Sequence, residues 1–505
     1  MKLVVALLAG ASYSLGFAPF HFWPVTLIAV AAIYWALRDN DRPVFLMWVF
    51  GIGKYGVGAS WIYVSIHVYG NASPALAAAL VGLFVGFVAA LFCAPIGLLY
   101  KKLRTTETGP LQNVLLFAAA WGLLDWVLTW LLTGFPWLYV ADVLVGLAGA
   151  AGPEALIAPA GLIPIIGVLG TSLFMVAASA SAVELALSRA SRVKRGLLGA
   201  LVGLPWVIGV VAMQVEWVKP ASSHTVTLVQ GNLDQARKWL PEERIPNLRR
   251  HLRLSEPHWG SELIVWPEAA ITFYPQQAEQ LLEDLGRRAN DSGSALIVGI
   301  PGVREVEGGY TFENLAIGLG QARGRFAKQH LVPFGEYVPL EGLLRGVIDF
   351  FDLPMSSSSP GSAQQANLRA PFGEVAMAIC YEVAYADSMR LRARTAAVLA
   401  TISNDTWFGE SIGPHQHMQI AQARALENGR WMLRATNNGV TAVVDHRGQI
   451  QARLNQFEAD ALVDEFQIMQ GLTPYNRWGN LPFLLLLSGV FIGCFWQRFQ
   501  KQNNA

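Results

Sequence analysis

The sequence predicts a multi-pass α-helical membrane domain of about eight spans, joined to a water-exposed α/β domain. The first observation behind this fold class is the distribution of charge. The 505 residues include 37 basic and 36 acidic ones, so the net charge is +1 and 14% of the chain is charged, against about 25% in a typical soluble domain. Residues 1–220 hold only 20 of these 73 charged residues, and residues 479–505 hold 2. We therefore predict a membrane domain at 1–220, an α/β domain at 221–478 and a last span with its tail at 479–505, and we exclude a disordered chain and a basic nucleic-acid binder.

Long apolar runs are the second observation. A helix needs about 20 apolar residues to cross the hydrocarbon core of a bilayer. The first two runs are short and contain Pro19 and Pro24 between them, so they form either a tight helical pair or one interrupted span. A signal peptide beginning at Lys2 is the alternative for the first run, but the apolar pattern continues past any cleavage point. The predicted spans lie at 3–20, 23–37, 43–66, 74–100, 112–133, 155–187, 196–216 and 480–497.

Basic residues next to the spans predict the orientation, because loops rich in Lys and Arg stay in the cytoplasm. The turns at 19–24, 67–73 and 134–154 contain no Lys or Arg. The basic residues follow every second span, which places both termini in the cytoplasm and the 221–478 domain in the periplasm of a Gram-negative inner membrane. These basic residues are Arg38, Arg42, Lys101, Lys102, Arg104, Arg189, Arg192, Lys194, Arg195, Arg498 and Lys501.

Five ionisable residues lie within or near the spans: Lys54, Asp125, Asp142, Glu154 and Glu184. Such residues are costly in lipid and often line cavities or pathways. The alternative is that they reach the membrane interface. We assign a catalytic role to none of them.

The third observation is the alternation of short apolar strands and helices after residue 220, which is typical of sheets buried against helices. Asp445-His446-Arg447-Gly448 reads as a hairpin turn between two of these strands. Helices are predicted at about 241–256, 276–290, 383–395 and 415–430. The predicted strands are Thr225–Val229, Leu263–Trp266, Ala295–Ile300, Leu315–Leu319, Val375–Ile379, Ala397–Thr401, Val440–Val444 and Gln449–Leu454.

Three polar residues stand near the ends of these strands. Glu268 follows Leu263–Trp266, Lys328 precedes a loop with Pro and Gly, and Cys380 lies where a strand gives way to a helix. Taken alone, each has an ordinary explanation: a helix cap or ion pair, a surface charge and an inert core thiol. Together they supply the parts for acyl transfer. Glu268 can take the thiol proton of Cys380, and the Lys328 cation can stabilise the thiolate and an oxyanion.

The cysteine count and the histidines limit the other chemistries. Cys93 and Cys494 lie in apolar runs, so Cys380 has no evident disulfide partner, although the predicted compartment is oxidising. A free thiol in an oxidising compartment more often has a function than none. His415-Gln416-His417 lacks the carboxylate or cysteine neighbours that a zinc site needs. We predict no metal and no cofactor.

The same residues carry a resemblance to a known superfamily. Trp266-Pro267-Glu268, a lysine ahead of Leu331–Glu336, Cys380-Tyr381-Glu382 and the segment Ser403–Gly409 resemble the nitrilase (carbon–nitrogen hydrolase) superfamily. That resemblance implies an α-β-β-α sandwich with a Glu-Lys-Cys triad. This domain is inserted before the last span, which narrows the resemblance to the bacterial apolipoprotein N-acyltransferase family. The sequence also resembles that family at His330–Pro339, Leu353–Ser357 and Thr436–Ala442.

The resemblance implies the substrates and further site residues. The chain would move an acyl group from a phospholipid, typically phosphatidylethanolamine, to the α-amine of a diacylglyceryl-cysteine apolipoprotein through a thioester on Cys380. Glu336, Tyr381 and Glu382 would support the triad, and Trp239 would contact substrate from a mobile arm. For Tyr381 and Trp239, simple packing is the alternative. The partners are lipids and the lipoprotein, without nucleic acid, and the chain would act as a monomer.

Two other functions remain open from the sequence. A membrane-tethered amidase for a small amide would use the same triad, but it would not need seven spans before its catalytic domain. A non-enzymatic transporter or lipid-binding scaffold would leave the triad unexplained. We also predict a lid at Gly342–Pro354 that dips into the outer leaflet, with a helix packed on the sandwich as the alternative.

Overall fold

The structure is a computed structural model that describes residues 1–104, 109–145, 158–306, 309–339 and 358–504. The predicted lid at Gly342–Pro354 and Glu154 lie outside the described residues. The chain divides into two compact units, each described here by itself. The helical unit comprises Met1–Tyr63, Ser73–Glu216 and Thr473–Ala505, and the sandwich unit comprises Val64–Ala72 and Trp217–Leu472.

Apolar helices build the helical unit, as the long apolar runs predict. Within the described residues, Pro74–Leu103, Ala158–Leu187 and Arg192–Met213 are long and apolar enough to cross a membrane, while Lys2–Gly16, Trp23–Leu37 and Leu481–Trp496 are shorter apolar helices. The number of eight spans stays a prediction. The helices of this unit are α1 Lys2–Tyr13, α2 Trp23–Leu37, α3 Pro43–Gly58, α4 Trp61–Val64, α5 Pro74–Val88, α6 Ala94–Leu103, α7 Pro110–Val127, α8 Ile163–Leu187, α9 Arg192–Met213, α14 Pro474–Trp478 and α15 Leu481–Asn504.

Small residues allow α1 and α3 to pack backbone against backbone. A Cβ added to Gly10 would lie 2.1 Å from the carbonyl oxygen of Phe50, and one added to Gly53 would lie 2.4 Å from that of Leu7. Close approach through small residues is the common way for helices to associate in lipid, where burial of apolar surface gives little driving force.

Ionisable residues predicted within the spans, among them Glu184 and Lys54, have partners inside the helical unit. Glu184, which is 1% exposed, accepts hydrogen bonds from Tyr34 (2.8 Å) and Arg38 (2.9 Å). The ammonium of Lys54 lies 5.0–5.6 Å from the ring centroids of three aromatic residues, within range of cation–π attraction. These rings belong to Tyr13, Tyr55 and Trp121.

In the part of the chain that the structure describes, the strands of the sandwich unit form two six-stranded sheets. Their orders are β12-β1-β2-β3-β4-β5 and β11-β10-β9-β8-β7-β6. The strands β1, β2 and β3 are mutually parallel, and so are β7, β8 and β9. The strand bounds are β1 Lys219–Gln230, β2 Leu263–Val265, β3 Ala295–Val306, β4 Gly309–Gly320, β5 Arg325–Ala327, β6 Leu368–Ala370, β7 Gly373–Ile379, β8 Val398–Ser403, β9 Met432–Thr436, β10 Ala442–Val444, β11 Ile450–Arg453 and β12 Asp460–Gln470.

Burial on both faces of each sheet gives this unit four layers. Apolar side chains of the two sheets, such as Leu228 and Met377, share one core. A second core packs the other face of the first sheet against the helices α10 and α11. The helices α12 and α13 contact the second sheet. The predicted α-β-β-α sandwich is therefore confirmed. These helices are α10 Arg244–Ser255, α11 Glu279–Asp291, α12 Ala386–Ala393 and α13 Gly413–Asn428.

The predicted hairpin also forms, since β10 and β11 pair as antiparallel neighbours around Asp445–Gly448. Four strands were not among those predicted. The short β5 and β6 lack a long apolar run, β12 mixes charged and apolar residues at an edge of its sheet, and β9 carries Arg434 at its centre. A charged residue in a central strand argues against a strand unless a buried partner is known.

The loop that carries Glu268 lies directly against β3. A Cβ added to Gly299 would lie 2.3 Å from the carbonyl oxygen of Pro267 and 2.7 Å from the Glu268 Cα. We expect Gly299→Ala to lower the free energy of unfolding of the full chain by about 1–3 kcal/mol, because backbone atoms must shift to make room. Denaturant titration in detergent measures this.

Gly286 on α11 is the matched control, because a Cβ there would lie 3.8 Å from its nearest neighbour. Gly286→Ala should stabilise the chain slightly, since alanine favours a helix over glycine. Equal midpoints for the two variants would contradict the steric argument.

Candidate active site

Strand ends bring the predicted site residues to one edge of the sandwich. Glu268 follows β2, Lys328 follows β5 and Cys380 follows β7. The strand β5 is antiparallel to β4, which is antiparallel to β3, so β5 ends at the same edge as β2 and β3. Loops at the carboxyl ends of parallel strands are the usual position of a site in α/β sheets.

A buried lysine lies between two carboxylates at this edge. The Lys328 ammonium is 2.8 Å from Glu336 Oε1 and 3.7 Å from Glu268 Oε1, and its side chain is 2% exposed. Burial by itself would lower the pKa of Lys328, but the charges of Glu336 and Glu268 outweigh it and raise that pKa above its usual value. Lys328 therefore stays a cation.

Glu268 is held as a hydrogen-bond acceptor at both oxygens. Asn314 Nδ2 donates to Oε1 at 2.6 Å, and the backbone N–H of Asn404 donates to Oε2 at 2.7 Å. Its own backbone carbonyl accepts from the buried Lys238 ammonium at 3.1 Å. Ala269 next to it has a φ of +48°, a conformation that non-glycine residues rarely adopt. The carboxylate is thus fixed in position and direction.

Cys380 stands in a strained turn at the end of β7. Its φ is +54°, in the left-handed region that favours glycine, and its side chain is half-buried. Burial and the charge of Glu268 together raise the pKa of the Cys380 thiol to about 12, although the charge of Lys328 acts to lower it. Because the thiol senses both charges, the structure brings Glu268, Lys328 and Cys380 into one cluster.

Glu336 and Glu382 tie the loops of this cluster together. Glu336 Oε2 accepts from the Val332 N–H at 2.8 Å while Oε1 pairs with Lys328. Glu382 Oε2 accepts from the Ile379 N–H at 2.8 Å, and Oε1 accepts from the Gln329 N–H at 2.7 Å. Glu382 therefore joins the end of β7 to the residue after Lys328.

The two aromatic residues predicted near the site differ in setting. Tyr381 is buried, and its ring meets that of Tyr385 edge-on at 5.3 Å. Trp239 is half-buried, and the Lys238 ammonium lies 5.9 Å from its ring centroid. Asn437, in the motif after β9, accepts a hydrogen bond from the Leu233 N–H and donates one to the Leu233 carbonyl, both at 2.8 Å. These two bonds hold the start of the loop that carries Trp239.

Several functional contacts were not predicted from the sequence. Lys238, Asn314 and Asn404 contact Glu268, and His417 lies within 3.1 Å of the Cys380 carbonyl oxygen. Asn404 lies in a segment that the resemblance had singled out, so that motif was an available signal. For Asn314, within β4, the sequence offered none.

The comparisons with known proteins match both units. The carbon–nitrogen hydrolase family model matches residues 225–470, and the model of the apolipoprotein N-acyltransferase N-terminal domain matches residues 9–181. Apolipoprotein N-acyltransferase of Pseudomonas syringae pv. tomato is 43% identical over 496 residues, covering 97% of this chain and 95% of that protein. The chain belongs to the apolipoprotein N-acyltransferase family.

Further members of this family keep the full-length similarity. The apolipoprotein N-acyltransferase of Pseudomonas paraeruginosa is 44% identical over 97% of this chain, and that of Shewanella oneidensis is 38% identical over 100% of it. The predicted family resemblance is confirmed, and with its apolar helices the chain is a membrane protein. The individual roles of Glu268, Lys328, Cys380 and their neighbours stay predictions.

The raised pKa of Cys380 predicts how its reactivity depends on pH. Because the thiolate is the reactive form, we expect alkylation of Cys380 by iodoacetamide to be slow at neutral pH and to keep rising beyond pH 9. Lys328→Met should slow it further, because the cation that lowers this pKa is gone. Peptide mass spectrometry separates Cys380 from Cys93 and Cys494. A rate that levels off below pH 8 would contradict the expectation.

Proposed function

We propose that this chain transfers an acyl group from a membrane phospholipid to the N-terminal α-amine of diacylglyceryl-cysteine apolipoproteins, the last step of lipoprotein maturation. Proteins named apolipoprotein N-acyltransferase match this chain over nearly its full length, and this similarity supports the two substrates. The observation that carries the chemistry is the buried Lys328 between Glu268 and Glu336 with the Cys380 thiol in the same cluster. The alternative of a small-amide amidase is not favoured, because the relatives match the helical unit as well.

The first half-reaction forms an acyl-enzyme. Glu268 takes the proton of the Cys380 thiol, and the thiolate attacks the ester carbonyl of the phospholipid. Negative charge develops on the carbonyl oxygen, where the fixed Lys328 ammonium stabilises it. The carbon–oxygen bond then breaks, Glu268 returns its proton to the leaving alkoxide, and lysophospholipid departs from a thioester on Cys380.

The second half-reaction forms the amide. The α-amine of the apolipoprotein attacks the thioester carbonyl, and Lys328 again stabilises the oxyanion. Glu268 accepts a proton from the amine as the carbon–sulfur bond breaks, and that proton restores the Cys380 thiol. Since an amide is far less reactive than a thioester, this step runs forward. Water must be kept from the thioester in the meantime.

The supporting residues position the triad and take no part in making or breaking covalent bonds. Glu336 orients Lys328 through its 2.8 Å contact and preserves a counter-charge when Glu268 is protonated. Glu382 fixes the turn of Cys380 through the Ile379 N–H. Tyr381 supports the triad from the position next to Cys380, and Trp239 contacts the substrate.

The remaining features of the proposal concern location and partners. The donor is phosphatidylethanolamine, and the chain acts as a monomer in the bacterial inner membrane. Residues 1–220 carry spans one to seven, 221–478 form a periplasmic catalytic domain, and 479–505 hold the final span, with both termini in the cytoplasm. No cofactor takes part.

The acyl-enzyme is the decisive intermediate. After incubation with phosphatidylethanolamine vesicles alone, intact mass spectrometry should show the gain of one acyl group, and peptide mapping should place it on Cys380. Cys380→Ala should gain none, whereas the control Cys494→Ala should match the wild type. A wild-type chain that gains no acyl group would contradict the proposal.

Glu268 and Lys328, the other members of the triad, give a second test of the mechanism. Glu268→Gln and Lys328→Met should each lower the rate of acyl-Cys380 formation by at least about 10²-fold, the usual effect of losing a general base or an oxyanion donor. The measurement is single-turnover mass spectrometry. A wild-type rate in either variant would remove that residue from the mechanism.

A further inference from the structure

A buried polar cluster lies behind the nucleophile and has no part in the mechanism above. Asp405, His417 and Arg434 are each at most 1% exposed. They come from three elements: the turn after β8, the helix α13 and the centre of β9. The histidine belongs to the His415-Gln416-His417 motif, for which the sequence offered no function.

The ring of His417 points at the backbone of the nucleophile. His417 Nε2 lies 3.1 Å from the Cys380 carbonyl oxygen. A carbonyl oxygen only accepts, so Nε2 carries a proton and donates it whether the ring is neutral or charged. His417 therefore forms no Cys-His dyad through this contact, because the contact is to the carbonyl rather than to the sulfur.

The opposite edge of the ring is fixed by buried charges. His417 Nδ1 lies 3.0 Å from Asp405 Oδ1 and 3.0 Å from Arg434 Nη2. Arg434 donates to Asp405 Oδ2 at 2.7 Å, and Ser403 donates to Oδ1 at 2.6 Å. A Cβ added to Gly439 would lie 2.3 Å from Asp405 Oδ2, so the second sheet encloses this cluster closely. The ring thus has little freedom to move.

Cys380 needs such a partner because of its backbone. With φ at +54°, the residue occupies a conformation that persists only where its surroundings impose it. A donor on its carbonyl fixes the plane of the following peptide and, through it, the direction of the thiol. Since Glu382 holds the preceding Ile379 N–H, the turn is held on both sides of the nucleophile.

We propose that His417, braced by Asp405 and Arg434, is a positioning residue that holds the strained turn of Cys380 in its reactive geometry. Its effect on acyl transfer rests on the proposed function, but its effect on the thiol does not. His417 acts before any bond is broken, so its loss lowers the rate of thioester formation rather than the affinity for phospholipid.

Two amide substitutions separate the donor from the rest of the ring. In His417→Gln the amide nitrogen reaches the position of Nε2 and can still donate to the Cys380 carbonyl. In His417→Asn the amide reaches only the position of Nδ1, so the contacts with Asp405 and Arg434 are kept and the one with Cys380 is lost. His415→Gln and His415→Asn are matched controls two residues away on the same helix.

Two rates are measured for each variant, both per folded molecule: acylation of Cys380 by phosphatidylethanolamine vesicles in a single turnover, and alkylation of Cys380 by iodoacetamide. We expect His417→Asn to lower the limiting rate constant of acylation by about 10²-fold, as for a reactive group displaced by about an ångström, with the half-saturating phospholipid concentration unchanged. His417→Gln and both His415 controls should stay close to the wild type. Alkylation should follow the same order.

The proposal is overturned if His417→Gln and His417→Asn are acylated at the same rate as each other and are also alkylated at the same rate as each other. If His417→Asn does not fold, a low rate in folded His417→Gln overturns it instead, and a wild-type rate supports it. If the wild-type chain takes up no acyl group, the proposed function fails, yet the order of the alkylation rates still decides the role of His417.

Discussion

The candidate site depends on one buried charge, the Lys328 ammonium. Taking a cation out of water is expensive unless carboxylates replace the solvent. Here two carboxylates do so at unequal distances, with Glu336 at 2.8 Å and Glu268 at 3.7 Å. In the proposed mechanism the nearer carboxylate stays beside Lys328 as its counter-charge. Glu268 can then take up a proton as the general base without leaving the cation unpaired.

The sandwich positions this cluster through backbone contacts as well as side chains. Each member of the triad has its carbonyl oxygen held by a donor from a distant part of the chain. Lys238 donates to Glu268, the Gly361 N–H donates to Lys328 at 2.7 Å, and His417 lies at 3.1 Å from Cys380. Because loops at strand ends lack the hydrogen bonds of a ladder, such donors replace them. These donors come from two loops and from α13, so the order of the site depends on segments well separated in sequence.

The sequence predicts the parts of this structure whose signal is local. Apolar runs such as Leu263–Trp266 and Val375–Ile379 form interior strands of the two sheets, and a polar residue follows each at its carboxyl end. Arg434 is the opposite case. Its charge in β9 is compatible with a strand only because Asp405, 29 residues earlier, is buried beside it. That pairing is a property of the fold, and the local sequence does not contain it. The partners of His417 are likewise set by the fold, because Cys380 follows β7, Asp405 follows β8 and Arg434 lies in β9.

Under the proposed function Cys380 is a nucleophile in the oxidising periplasm, and its raised pKa fits that role. A thiolate is the form that oxidises and exchanges with disulfides, whereas a neutral thiol is much less reactive. Burial and the Glu268 charge keep Cys380 protonated at rest, while Lys328 works against them. In the proposed mechanism this balance shifts when a substrate carbonyl lies beside Lys328, because proton transfer to Glu268 then coincides with the growth of an oxyanion that the ammonium stabilises. On that proposal, the carboxylate that suppresses the free thiolate also accepts its proton, which confines the reactivity of Cys380 to the moment when an acyl donor is bound.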